Sequence, residues 1–180
     1  MTILFITWVL GLVVMCTLLC CRKNAIEVPR NYILLGVFTL CMAYMVGMVA
    51  STYDANVVVM AAISTFAITL AITVYAMTTK RDFTWLGSMI YVFSTMFFLF
   101  FIFWWFVPNY WGEEYPVMWI VYNLFGVLIY SVYLIYDTQL VAGGKRYELS
   151  MDDYVIAALI VYLDIIMIFL YLLQMLGGAK

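Results

Sequence analysis

The sequence predicts an all-α integral membrane protein that crosses the bilayer six times, and three observations carry that class. Of 180 residues, 68% are apolar and 10% charged, and the mean hydropathy is +1.10. A soluble domain of this size needs far more charge to cover its surface. The apolar residues gather into runs of the roughly 20 residues that a helix needs to cross a bilayer. The basic residues, finally, occupy alternate loops. The lipid bilayer is therefore the first partner. No basic patch is long enough to bind nucleic acid, and none is expected.

The spans are read at 3–21, 31–52, 57–78, 86–107, 117–136 and 154–176, making one polytopic domain over 1–180. The first, ILFITWVLGLVVMCTLLCC, lacks the basic leader and small-residue cleavage site of a signal peptide and is read as a retained span. Cys16, Cys20, Cys21 and Cys41 lie in or beside apolar runs without metal-ligand spacing, and packing is the expected role. Cys20 and Cys21 also precede Arg22-Lys23, a juxtamembrane setting compatible with palmitoylation. In the second span Ala43, Gly47 and Ser51 recur every four residues, the pattern that lets helix backbones approach. In the third, Ala61, Thr65, Thr69 and Thr73 form a hydroxyl-bearing face, read as a packing seam or a hydrated path. The end of the fourth span (Phe100, Phe101, Phe103, Trp104, Trp105, Phe106) and Tyr110, Trp111, Tyr115 and Trp119 resemble an interfacial aromatic belt. Ser150 and Asp153 are spaced to cap the last helix.

Arg22, Lys23 and Arg30 share one loop, Lys80 and Arg81 the next but one, and Lys145 and Arg146 the next but one again. The loops between carry Asp54, Glu113 and Glu114 without Lys or Arg. Basic loops stay cytosolic, so both termini of a six-span chain are expected on the opposite side.

The chemistry lies in two aspartates. Asp164 sits mid-run in VIAALIVYLDIIMIFLYLL, and Asp137 follows WIVYNLFGVLIYSVYLIY. A charge at bilayer depth costs at least about 2.5–3.5 kcal/mol and needs a partner, water or a proton. On its helix Asp164 shares a face with Ala157, Ile160, Val161, Met167, Ile168 and Tyr171, which leaves Asp137 as the candidate partner and Arg22 as a second. Two such carboxyls can share one proton and titrate as a pair. Histidine is absent, so proton sensing near neutral pH falls to carboxylates. The pair points to ion or proton handling or to aspartyl catalysis; a neutral, hydrogen-bonded structural Asp is the plain alternative.

RDFT at 81–84, YDTQLVAGGKRYELSMDDY at 136–154 and YLDIIMIFLYLLQMLG at 162–177 resemble the transmembrane Bax-inhibitor-motif family. VPRNYILLGVFTL at 28–40 and STYDANVVVMAA at 51–62 make the chain similar to its Lifeguard branch. The resemblance implies a seven-helix bundle with the last helix central, here in a six-span version whose first span matches the family's second. It implies a pH-sensitive calcium leak through intracellular membranes that lowers stored calcium and suppresses apoptosis. It carries a pH-sensing and gating pair onto Asp137 and Asp164, which would also meet calcium transiently, and an arginine latch onto Arg22. Calcium is then the permeant ion, no cofactor or catalysis is expected, and the endoplasmic reticulum or Golgi is the expected compartment, with the plasma membrane as alternative.

Two rival readings stay open. An intramembrane aspartyl protease also uses an aspartate on each of two consecutive spans, but the GxGD and PAL elements of that class are missing around Asp164. A non-transporting regulator would act by binding membrane proteins of calcium signalling or cell death, such as death receptors or calcium-release channels.

Overall fold

The computed structural model describes residues 2–106 and 116–178, and every regular element among them is helical. In chain order these are α1 (Thr2–Cys20), the short α2 (Arg22–Ile26), α3 (Arg30–Ala50), α4 (Ala55–Thr78), α5 (Gly87–Phe106), α6 (Pro116–Ala142) and α7 (Tyr154–Gly177). Single 3-10 turns at Thr84–Leu86 and Met151–Asp153 lead into α5 and α7. Among the described residues five helices, α1, α3, α4, α6 and α7, are long and apolar enough to cross a membrane. The predicted fourth span is helical as expected, α5 running over Gly87–Phe106 with the sequence GSMIYVFSTMFFLFFIFWWF. The chain is a multi-pass membrane protein, and large apolar side chains such as Leu40, Ile63 and Phe66 stay exposed where lipid would cover them.

One boundary differs in a way that matters. The fifth predicted span stops at residue 136, whereas α6 runs on to Ala142 and takes Asp137, Thr138 and Gln139 into the helix, all three buried. An apolar-length ruler cannot see this extension, because hydrogen bonds rather than hydropathy hold it. Gln139 is 1% exposed. Its Oε1 accepts from the Phe83 amide at 2.8 Å, and its Nε2 donates to the carbonyls of Arg81 (3.0 Å) and Ala76 (3.3 Å). The helix then ends at Gly143 and Gly144, whose φ of 70° and 72° suit a residue without Cβ. The Gly143 amide closes the last turn onto the Gln139 carbonyl at 3.1 Å.

The chain divides into two compact units. The first comprises Met1–Asp54 and Leu149–Tyr162. In it α1 packs along α3, with Val14, Leu18, Phe38 and Cys41 buried, and a Cβ at Gly11 would lie 3.6 Å from that of Cys41. Cys41 therefore packs as expected; Cys16, Cys20 and Cys21 are exposed on the surface of the chain instead. Asn31 ties α2 to the start of α7 by donating to the Ala25 carbonyl (3.2 Å) and the Tyr154 hydroxyl (2.6 Å).

The second unit comprises Ala55–Glu148 and Leu163–Lys180. Here α4 and α5 both pack on α6. The predicted face of α4 is the packed one: Ala61 and Thr65 are buried, and the Thr65 hydroxyl donates to its own helix at the Ala61 carbonyl, 2.7 Å away. Among the expected aromatic belt, Phe100 and Trp119 both stack on Tyr122, at 6.1 and 6.2 Å between ring centres. Phe101, Phe103, Trp104, Trp105, Phe106, Tyr110, Trp111 and Tyr115, and the acidic Glu113 and Glu114, carry side chains outside the described residues.

Candidate functional site

Asp137 and Asp164 come together inside the second unit. Asp137 is 8% exposed and Asp164 4%. The two carboxyl groups lie close enough to act on each other directly. Two carboxylates offer only acceptors to each other, so a hydrogen bond between them would require a proton on one. Asp164 Oδ2 is completely buried and has no donor from any other described residue.

Sequence position explains why the partners meet. Asp137 lies in the last third of α6 and Asp164 near the middle of α7. Seven residues from each, two turns away from the shared level, Tyr130 and Tyr171 stack with ring centres 5.7 Å apart. At the far end Trp119 lies against Gly178, where an added Cβ would come within 2.6 Å of its indole nitrogen. The three pairings descend α6 as they ascend α7, so the helices are antiparallel and in one register. Gly126 permits it: a Cβ there would stand 2.5 Å from Cδ1 of Tyr171.

The basic-loop end of this unit is held by a polar knot. The Asp82 carboxylate accepts from the Thr84 hydroxyl (2.6 Å), the Thr84 amide (2.8 Å) and the Arg146 amide (3.1 Å). The Thr84 hydroxyl beside it holds the Asp82 carboxyl below the usual carboxylate range; the Thr84 and Arg146 amides and the nearby Lys145 charge act in the same direction, against a smaller opposing effect of burial. The Lys145 ammonium donates to the carbonyls of Thr79 (3.1 Å) and Arg81 (3.2 Å). With Gln139, these contacts anchor α6 two residues from Asp137.

Arg22 lies in the first unit, where its Nε is 3.5 Å from Asp153 Oδ1. That pairing places the candidate latch on the 3-10 turn preceding α7. Ser150 caps that turn, but its hydroxyl accepts from the Asp152 amide at 3.4 Å, one residue short of the Asp153 its spacing pointed to. Of the residues lining the aspartate seam, Tyr171 shares the helical face of Asp164 in the sequence, whereas Tyr130, Gln139 and Asn123 do not stand out there. The available signal was the seven-residue interval of Asn123, Tyr130 and Asp137, matched by Asp164 and Tyr171.

The whole chain, residues 1–180, matches the family model described as inhibitor of apoptosis-promoting Bax1. It is 32% identical to protein lifeguard 3 of Mus musculus over 181 residues, covering 97% of this chain and 56% of that protein. Against protein lifeguard 3 of Homo sapiens the identity is 31% over 178 residues, covering 98% and 56%. The Golgi anti-apoptotic protein of Vaccinia virus (strain Lister) is 36% identical over 148 residues, covering 82% of this chain and 58% of that protein. The chain thus spans little more than half the length of these relatives.

Proposed function

Since the chain belongs to the family of inhibitors of apoptosis-promoting Bax1, we propose that it suppresses apoptosis by acting as a pH-sensitive calcium leak path in intracellular membranes. The observation that carries this reading is the approach of Asp137 to Asp164 within two apolar helices, with Asp164 Oδ2 lacking a donor among the described residues. While the pair holds one proton, a carboxyl–carboxylate bond ties α6 to α7. When the proton leaves, two like charges face each other in a low-dielectric site and repel, and the same oxygens attract a hard divalent cation. Among the described residues no three His, Cys, Asp or Glu side chains converge. Calcium would therefore meet two carboxyls in passing, as cargo, and the reading calls for neither a cofactor nor catalysis. Tyr130 stands near Asp164 and Tyr136 beside Asp137, both far less acidic than a carboxyl, so the aspartates carry the response. The name of the viral relative, a Golgi anti-apoptotic protein, supports a Golgi or endoplasmic reticulum setting with the basic loops cytosolic.

The test is calcium flux into liposomes that contain only this chain, measured across pH. Flux is expected to rise as the pair loses its proton. Asp137→Asn and Asp164→Asn should each flatten the pH dependence, because an amide keeps a hydrogen bond without titrating, and the double variant should be no worse than the stronger single one. Wild-type pH profiles in both single variants would make the pair structural. An absence of flux in the wild type at every pH would favour a non-transporting regulator that binds other membrane proteins.

A further inference from the structure

The face of α6 that carries Asp137 continues through Tyr130 to Asn123, each step seven residues long. Asn123 lies 14 residues from Asp137, about 21 Å along the helix axis, toward the end opposite the basic loops. It is 0% exposed. Its amide nitrogen donates to the Trp119 carbonyl of its own helix at 2.8 Å, while Oδ1, fully buried, has no donor among the described residues. Asn31, the other fully buried asparagine, shows what a structural asparagine does here. Its Nδ2 donates to the Ala25 and Ile26 carbonyls and the Tyr154 hydroxyl, and its Oδ1 accepts from the Tyr32 amide at 2.8 Å.

Two further oxygens of the same unit are buried without a donor: Thr69 Oγ1 on α4 and Asp164 Oδ2. Such acceptors are rare in folded proteins and call for a reason. Between the levels of Asn123 and Asp137 stand Tyr130 and Tyr171, with Tyr122 edge-on to Tyr171 at 6.2 Å between ring centres. Carboxylate, amide and hydroxyl oxygens are the ligands that hard divalent cations take, together with the waters they retain. Aromatic packing keeps the wall rigid, Phe97 stacking on Tyr122 with 4.6 Å between ring centres.

We propose that Asn123 Oδ1 is a second cation contact, through which a hydrated divalent cation passes between the face opposite the basic loops and the aspartate pair, along the seam of α6 and α7. This rests on the leak reading for its cargo and adds the route and the residue.

Two measurements on the full chain separate the route from the leak itself. In liposomes, Asn123→Leu should lower calcium flux severalfold while leaving its pH profile in place, since the titrating pair is untouched. In detergent, terbium luminescence sensitised by Trp119 and Tyr122 reports cation binding near Asn123, measured with Asp137→Asn and Asp164→Asn both present so that the pair contributes little. There Asn123→Asp should bind terbium roughly tenfold more tightly, the scale on which added ligand charge moves such sites, and Asn123→Leu should abolish the signal. If the Leu variant fails to fold, the Asp variant still decides. Terbium titrations unchanged by Asn123→Asp, with flux unchanged where it is measured, would overturn the contact and leave the leak standing. A terbium response at this position with no wild-type calcium flux would keep the contact and overturn the leak.

Discussion

Asp82 receives three hydrogen bonds from two segments more than 60 residues apart in the chain. Its carboxyl is held below the ordinary range, so the stabilisation it contributes is present above the unfolded carboxylate pKa, near 3.9, and is lost as pH falls through the lower folded value. Asp82→Asn is therefore expected to melt earlier than the wild type at neutral pH, with the gap closing below about pH 4; thermal unfolding in detergent across that range measures it. A gap of constant size would assign the effect to geometry instead of charge. RDFT was visible in the sequence as a motif, and so was the polar loop after Asp137. Their bonding to each other was not, because the partners of these side chains are backbone groups that any residue carries.

Individual helices divide more sharply into packed and lipid-facing sides than their composition reveals. Ala43, Gly47 and Ser51 were expected to mark a close helix contact, yet all three are exposed, and a Cβ on Gly47 would meet nothing within 4 Å. The packed side of α3 is instead the one carrying Phe38 and Cys41, where the side chains pack by van der Waals contact and the close approach is supplied by Gly11 of α1. The last helix behaves differently: from Leu159 to Gly178 no residue of the chain is exposed. Single cysteines introduced at positions 160 to 168 should thus react poorly with lipid-phase thiol reagents, while those at 43 and 47 react well. Strong labelling all around α7 would contradict the burial of Asp164.

Across the molecule, hydrogen bonds constrain topology where hydropathy leaves it open. Lys145 and Arg146 of one basic loop bond to Thr79, Arg81 and Asp82 of another, which puts both loops on the same face of the bilayer. The segment between them must then cross an even number of times. Because α6 is long enough to span, α5, a helix of 20 residues, is expected to span as well. Cysteines at Lys80 and Lys145 should both be reached by a membrane-impermeant reagent from the cytosolic side of sealed vesicles, and one at Asn56 should be protected. Opposite accessibility of positions 80 and 145 would mean that α5 lies in the interface.

The membrane class, the order of the helices and the identity of Asp137 and Asp164 as the costly residues could all be read along the chain. Each depends on local quantities: apolar length, loop charge, and the penalty for a carboxyl among aliphatic side chains. The pairing of those carboxyls, the extension of α6 to Ala142, the sides on which α3 and α4 pack and the unpartnered oxygen of Asn123 depend on which distant groups come within bonding reach. Gln139 holds its helix through the carbonyls of Ala76 and Arg81, and Gly126 matters because the Tyr171 ring occupies the space its Cβ would need. Hydropathy sums over neighbours in sequence, whereas a hydrogen bond or a ring contact is settled by neighbours in space.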